Sequence, residues 1–229
     1  AATRFFATQR VAPGFRARET TRTLDRALMR EMGALGFIAP ELPEADGGQG
    51  LSYVASGVIV EELARADLSI AYIQLLASLN GQILASHGRP GVARPWLQRL
   101  TRGEALLALA LTESRGGSDA ASLRLRMERV GSEYVLNGEK TSISAADQAD
   151  AAVVFARSGS VEAGARGVSA VLVPLDAPGI TRTRFDCHGQ RAIGVRENHG
   201  VRLHVAADAP GKAQRDPLLG GRRPSGNDL

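Results

Sequence analysis

The 229 residues predict an α+β, multidomain chain: an all-α N-terminal domain followed by a β-barrel or β-sandwich middle domain. Three observations carry this. Apolar residues recur at helical spacing up to about residue 104 and at every second position beyond it. Gly- and Pro-rich turns cut the second half into short consecutive strands. Strands follow the helices as a block and do not alternate with them, which is the pattern of segregated α and β layers. The divisions read as 1–104 helical, 105–205 β-barrel and 206–229 an irregular tail.

Residues 1–18 carry Arg4, Arg10, Arg16 and Arg18 and no acid before Glu19. That composition can belong to a mitochondrial transit peptide, but a first helix interrupted at Pro13-Gly14 is the simpler reading. Leu24, Leu28 and Met32 recur every four residues, with Ala27 and Leu35 widening the stripe and Gly36 as a stop. Residues 39–50 are turn formers and predict a loop. A helix over about 52–66 follows, with Tyr53, Ser56, Val60, Leu63 and Ala64 on one side. Another spans about 69–86, ended by His87-Gly88-Arg89-Pro90, and a short one surrounds Trp96, Leu97 and Leu100. The most apolar run, Leu68 to Leu79, contains Gln74 and is shorter than the roughly 20 residues of a spanning helix, so it reads as a core helix.

Past residue 104 the period becomes two. Leu106 to Leu111 is a short apolar strand. Leu123, Leu125 and Met127 alternate with Arg124, Arg126 and Glu128, as in a half-buried antiparallel strand. Tyr134-Val135-Leu136 meets Asn137-Gly138, a dipeptide that tolerates positive φ and predicts a hairpin turn. Further strands are expected at 152–156, 168–173, 180–184 and 201–205, separated in part by 157–166 and Pro178-Gly179.

Charge and cysteine usage exclude several functions. Residues 1–180 hold 19 basic and 19 acidic side chains; the net +4 arises wholly in 181–229. A balanced body with 4% aromatics is not the concentrated basic, aromatic-bearing face that binds nucleic acid. Of 28 basic residues only Lys140 and Lys212 are lysines. One cysteine, Cys187, excludes a disulfide framework. His199 and His204 could join Cys187 and His188 around a metal, but the alternation of Val201, Leu203 and Val205 puts positions 199 and 204 on opposite faces of a strand, so no metal site is expected. No secretory or membrane signal is read, and a cytoplasmic protein is expected. A P-loop is absent because Glu139 precedes Lys140 where the motif needs glycine. No G-x-S-x-G elbow of a serine hydrolase occurs.

Residues 109–119 (LALTESRGGSD) run from a strand into a Gly-rich, hydroxyl-bearing loop. Backbone N–H groups beside glycine can approach a ligand closely, and Thr112 and Ser118 can each donate and accept. Equally, the segment can be a plain turn closed by the Asp119 and Ser118 side chains.

The order ALTES-RGGSDAASL, then YVLNGEKTSIS-AADQADAAVVFARS, then GARGVSAVLVPLDAPGI resembles the acyl-CoA dehydrogenase family, as does the earlier LGFIAPELPEADGGQGLSYVASGVIVEELARAD. The resemblance covers about residues 5–192. It implies FAD as cofactor, an acyl-CoA thioester as substrate, an electron acceptor such as an electron-transfer flavoprotein, and a homo-oligomer when full length. By position, Leu109, Leu111 and Thr112 fall where the family's first strand meets the flavin, with Thr112 on the pyrimidine edge. Gly117 and Ser118 fall where the loop touches flavin and the substrate's thioester-CoA portion. The second flavin motif reads Ser142-Ile143-Ser144. The resemblance puts the Ser144 hydroxyl near flavin N5, while Ser142 replaces an aromatic residue usual in the family.

The family's chemistry removes a proton from C2 and a hydride from C3. Its base lies in a helical C-terminal domain with no counterpart here, so no catalytic residue is assigned. Glu113, beside Thr112, is read as structural, and Glu61 and Glu62 as helix-surface acids. A chain lacking that domain is expected to expose a large apolar surface and to bind FAD weakly. The tail can reflect a reading-frame change, a truncated gene model or a natural short form. Two functions stay open: an FAD-dependent acyl-CoA dehydrogenase, with an oxidase or monooxygenase as a minor variant, and a non-catalytic acyl-CoA-binding or interaction module on the same two domains.

Overall fold

The computed structural model describes residues 1–131 and 133–184, together with 192, 193, 204 and 205. The first helix α1 (Ala2–Phe6) passes through a wide π turn (Ala7–Val11) and a tight 3-10 turn (Ala12–Gly14) into α2 (Phe15–Thr21). Pro13 therefore interrupts the helix as its sequence predicts. α3 (Arg26–Ala34) is capped by Asp25, whose Oδ1 accepts the Ala27 and Leu28 N–H groups. Ser52 caps α4 (Tyr53–Ala64) and Asp67 caps α5 (Leu68–His87). α6 (Pro90–Thr101) opens on Pro90, whose missing N–H costs nothing in a first turn, and runs on through Pro95. It is longer than the segment around Trp96 that periodicity marks.

The stripe of Leu24, Leu28 and Met32 is buried, but Leu35 is exposed and lies past the last turn of α3. α4 buries Ser56, Ile59 and Leu63 against α5. Tyr53, expected on that side, is the first residue of α4 and is 70% exposed. Together with Val54, Val58, Leu68, Leu75 and Leu79 it belongs to an exposed apolar set on α4 and α5. α5 is long and apolar enough to cross a membrane by length and composition alone. Here it packs among α4, α6 and the sheet, with Gln74 and Asn80 fully buried and hydrogen-bonded.

The strands β1 (Leu107–Ala110), β2 (Arg126–Val130), β3 (Glu133–Asn137), β4 (Ala151–Arg157) and β5 (Val168–Pro174) form one curled sheet. β4 is its centre: antiparallel to β5 along its whole length, parallel to β1 over Ala151–Val154, and paired to β2 through Arg157↔Arg126. Its run Ala151 to Val154 is buried throughout, as expected of a strand covered on both faces. A two-stranded ribbon, β6 (Ile180–Thr181) with β7 (His204–Val205), lies against β3. Of the strand expected at 180–184 only this pair is regular, and residues 201–203 of the other lie outside the described residues, as do Cys187, His188, His199 and the tail.

The hairpin turn is not at Asn137-Gly138. Val130 pairs with Glu133 and Arg126 with Asn137, so β2 turns into β3 at Gly131, which takes φ +62°. Gly138, at φ +144°, serves a different need. A Cβ there would stand 2.8 Å from the Leu125 Cα, so only glycine lets the chain leave β3 past β2 and cross toward β1. The alternation of Leu123, Leu125 and Met127 with Arg124, Arg126 and Glu128 is buried against exposed as read, although regular pairing starts only at Arg126.

One continuous core joins helices and sheet. Asn80 donates to the Leu107 carbonyl, the Leu24 N–H donates to Gln148 Oε1, and Arg26 reaches Asp150 at 2.8 Å. Asp150 also takes the Leu106 N–H, which fixes where β1 starts relative to β4.

Candidate functional site

Thr112 lies two residues past β1, and its carbonyl accepts the Thr141 N–H at 2.9 Å. At the other end of the strand the Asp150 N–H donates to Leu106 at 2.9 Å. The segment 141–150 therefore runs back along β1. Ser142, Ile143 and Ser144 follow within three residues of Thr141, at most about 11 Å of chain from that contact.

The loop after Thr112 folds back on itself. Glu113 and Gly116 exchange both backbone hydrogen bonds, at 3.1 and 2.9 Å. This backbone pair closes the turn. Gly117 then lies against Thr112: a Cβ there would meet Thr112 Oγ1 at 2.9 Å. The bare glycine leaves backbone and hydroxyl side by side, which is what close approach of a flat ligand needs.

The structure thus brings together Thr112, Gly117 and Thr141, the residue that precedes Ser142-Ile143-Ser144. Leu109, in register with Val153, and Leu111 are half-buried along β1. Ser118 and Ser142 are exposed and Ser144 is half-buried. Ser142 takes φ +57° and Ala145 φ +60°, two left-handed residues that bracket Ile143-Ser144. Ile143 is buried and its side chain belongs to the core, so toward a ligand it offers backbone only.

Sequence reasoning passed over Lys140. It is fully buried, and its Nζ donates to the Leu111 carbonyl at 3.0 Å and to Glu113 Oε1 at 2.9 Å. Glu113 in turn accepts the Arg124 N–H on Oε2 at 2.8 Å and the Leu125 N–H on Oε1 at 2.9 Å. Its carboxylate is committed on both oxygens, in keeping with a structural role. The available signal was that Lys140 is one of two lysines in a chain that otherwise uses arginine.

Burial alone would raise the Glu113 carboxyl, but the Leu125 N–H, the Lys140 ammonium and the Arg124 N–H outweigh it and hold the group below its usual range. Burial lowers Lys140, and Glu113 only partly offsets it. The folded Glu113 holds its proton less tightly than the unfolded one. Its contribution to stability is complete above the ordinary glutamate range and is lost as pH falls through the lower folded value. Unfolding monitored between pH 6 and pH 3, roughly that span, is expected to show a steeper acid loss for the native chain than for Glu113→Gln.

A cleft of 530 Å³ opens beside this loop, lined by Ser122, Leu123, Arg124, Arg126, Arg157 and Ser158 among others. A smaller one of 300 Å³ continues from Arg124 to Glu113, Arg115 and Gly116. Arg157 is buried and aims its guanidinium at the carbonyls of Ala121, Leu123, Ser160 and Gly164. It ties the loop before β2 to the β4–β5 connection and so fixes both walls. A third cleft, of 510 Å³, lies by the start of β4, between Trp96, Asp147 and Arg182, and holds none of the predicted residues.

Comparison with known proteins bears on what this arrangement is. Residues 1–104 match the model of the acyl-CoA dehydrogenase N-terminal domain, and residues 108–200 that of the middle domain. Benzylmalonyl-CoA dehydrogenase of Aromatoleum aromaticum is 36% identical over 177 residues, 77% of this chain and 46% of that protein. Human mitochondrial short-chain specific acyl-CoA dehydrogenase is 33% identical over 85% of this chain and 45% of its own length. A glutaryl-CoA dehydrogenase from Mycobacterium smegmatis, solved in complex with FADH2, superposes with a TM-score of 0.77 at 30% identity, covering 96% of this chain and 54% of that one. The chain spans about half the length of these relatives. With both domain types matched in order, and the same fold in the solved relative, the chain belongs to the acyl-CoA dehydrogenase family.

Proposed function

We propose that this chain supplies the flavin and thioester contacts of an FAD-dependent acyl-CoA dehydrogenase. The observation that carries the reading is the Thr112–Gly117–Thr141 junction. A half-buried hydroxyl, a glycine that a Cβ would crowd and a second hydroxyl-bearing segment meet at the end of one strand. These residues fit a flavin edge. FAD, when bound, accepts the hydride that leaves C3 of the acyl chain. Thr112 holds the pyrimidine edge through its hydroxyl, and Gly117 keeps the approach open. The Ser144 hydroxyl can donate to an unprotonated ring nitrogen and accept from a protonated one. Ser118, on the exposed side of the loop, points the reading toward the thioester.

The 530 Å³ cleft suits the phosphate-bearing end of a CoA thioester, with Arg124 and Arg126 on its wall. Glu113 is committed to Lys140 and two backbone amides, so the base that takes the C2 proton comes from elsewhere. The exposed apolar set on α4 and α5 is the seat we assign to the helical domain that the family resemblance implies. Electrons pass on to an acceptor such as an electron-transfer flavoprotein.

Dye-linked turnover of an acyl-CoA, with and without an added helical-domain partner, tests this. Turnover that appears only with the partner supports it. Tight binding of an alkyl-CoA with no flavin reduction under either condition favours the binding-module reading instead.

A further inference from the structure

Lys140 is a charged side chain with no exposed surface. Removing an ammonium from water is unfavourable unless its hydrogen bonds are remade, and here they are remade by two groups of the site loop, the Leu111 carbonyl and the Glu113 carboxylate. Thr141 adds a backbone bond to Thr112. Residues 111, 112 and 113 are therefore clamped one after another by residues 140 and 141. Glu113 extends the clamp to the Arg124 and Leu125 amides ahead of β2. Three separate stretches of chain meet on this one pair, and the stretch they hold is Leu111 to Glu113, where the Thr112–Gly117 loop begins.

Lysine suits this task where arginine would not. Its compact ammonium meets one carbonyl and one carboxylate oxygen at a single point, whereas a guanidinium fork needs a wider, planar seat. This chain uses arginine at nearly every other basic position.

We propose that the buried Lys140–Glu113 pair positions the Thr112–Gly117 loop for flavin, making Lys140 a positioning residue of the site. The inference rests on the flavin reading above for its consequence, but the clamp itself is a property of the flavin-free chain. Without Lys140 the loop loses its fix on β1, and the Thr112 hydroxyl no longer has a set place beside Gly117.

The test uses the whole chain without flavin and then with it. In Lys140→Met, amide exchange at Thr141, Gly116 and Leu125 is expected to speed up about tenfold or more, while the β4–β5 ladder is unchanged. FAD affinity, read from quenching of flavin fluorescence, is expected to fall about tenfold or more, and the visible circular dichroism of bound flavin to change. The double variant Lys140→Met with Glu113→Gln removes the unpaired buried charge. It is expected to regain thermal stability but not FAD affinity. Recovery of both together, or equal acceleration of exchange across the whole sheet, makes the pair merely structural and overturns the proposal.

Should Lys140→Met not fold, Glu113→Gln serves. It keeps an oxygen for Lys140 and Leu125 but offers no acceptor to the Arg124 N–H. Faster exchange at Arg124, with weaker flavin binding, supports the clamp; unchanged exchange there overturns it. A native chain that binds no FAD, yet shows local exchange effects in the variants, refutes the flavin reading and leaves the clamp standing.

Discussion

Arg18→Leu is expected to lower stability by about 3–5 kcal/mol, the cost of stranding a buried carboxylate by removing its partner. Arg18 Nε lies 2.7 Å from Asp67 Oδ2, and both side chains are almost wholly buried. Asp67 also caps α5 through the Ser69 N–H, and Arg18 donates to the Val11 carbonyl within the π turn. One ion pair therefore ties α2 to the start of the longest helix. Since α5 places Asn80 on β1, loosening its first turn weakens the support of the strand that leads to Thr112. Urea unfolding measures the loss. The double change Arg18→Leu with Asp67→Leu is expected to recover part of it, because burying two apolar groups is far less costly than burying one unpaired charge.

The second large effect is at Arg157. Arg157→Leu withdraws the donor shared by Ala121, Leu123 and Gly164 and leaves those carbonyls without it, at about 1–3 kcal/mol each. A total of about 3 kcal/mol or more is expected. The loss also unties the two walls of the 530 Å³ cleft. Calorimetric titration with an alkyl-CoA is expected to show a weakened complex in Arg157→Leu even at temperatures where the chain stays folded. Arg124→Ala, an exposed wall residue, is expected to reduce binding with little change in unfolding.

How much of this was legible in the sequence differs from element to element. The helices were legible because Leu24, Leu28, Met32 and their like are a local repeat. The central strand was legible because Ala152 to Ala156 is apolar without alternation. The hairpin was not. Gly131 and Asn137-Gly138 both permit positive φ, and the choice between them depends on which strand finds a partner across the turn. The exposure of Tyr53 had no local sign either, because the face it occupies is as apolar as the buried one. The loop 109–119 was recognisable by its glycines and hydroxyls, and the reading of Glu113 as structural agrees with the three hydrogen bonds its carboxylate accepts. Lys140 was marked only by its rarity in an arginine-using chain, since nothing in Asn-Gly-Glu-Lys says that the lysine turns inward.

The account stands on Thr112, Gly117 and Ser144 facing one flavin. Amide shifts recorded while FAD is titrated into the labelled chain test this most directly, and they report contacts even when binding is weak. The expected result is that the amides of Thr112, Gly117 and Ser144 move together along one saturation curve. Shifts that gather elsewhere, or none at these three positions at saturating FAD, would contradict it.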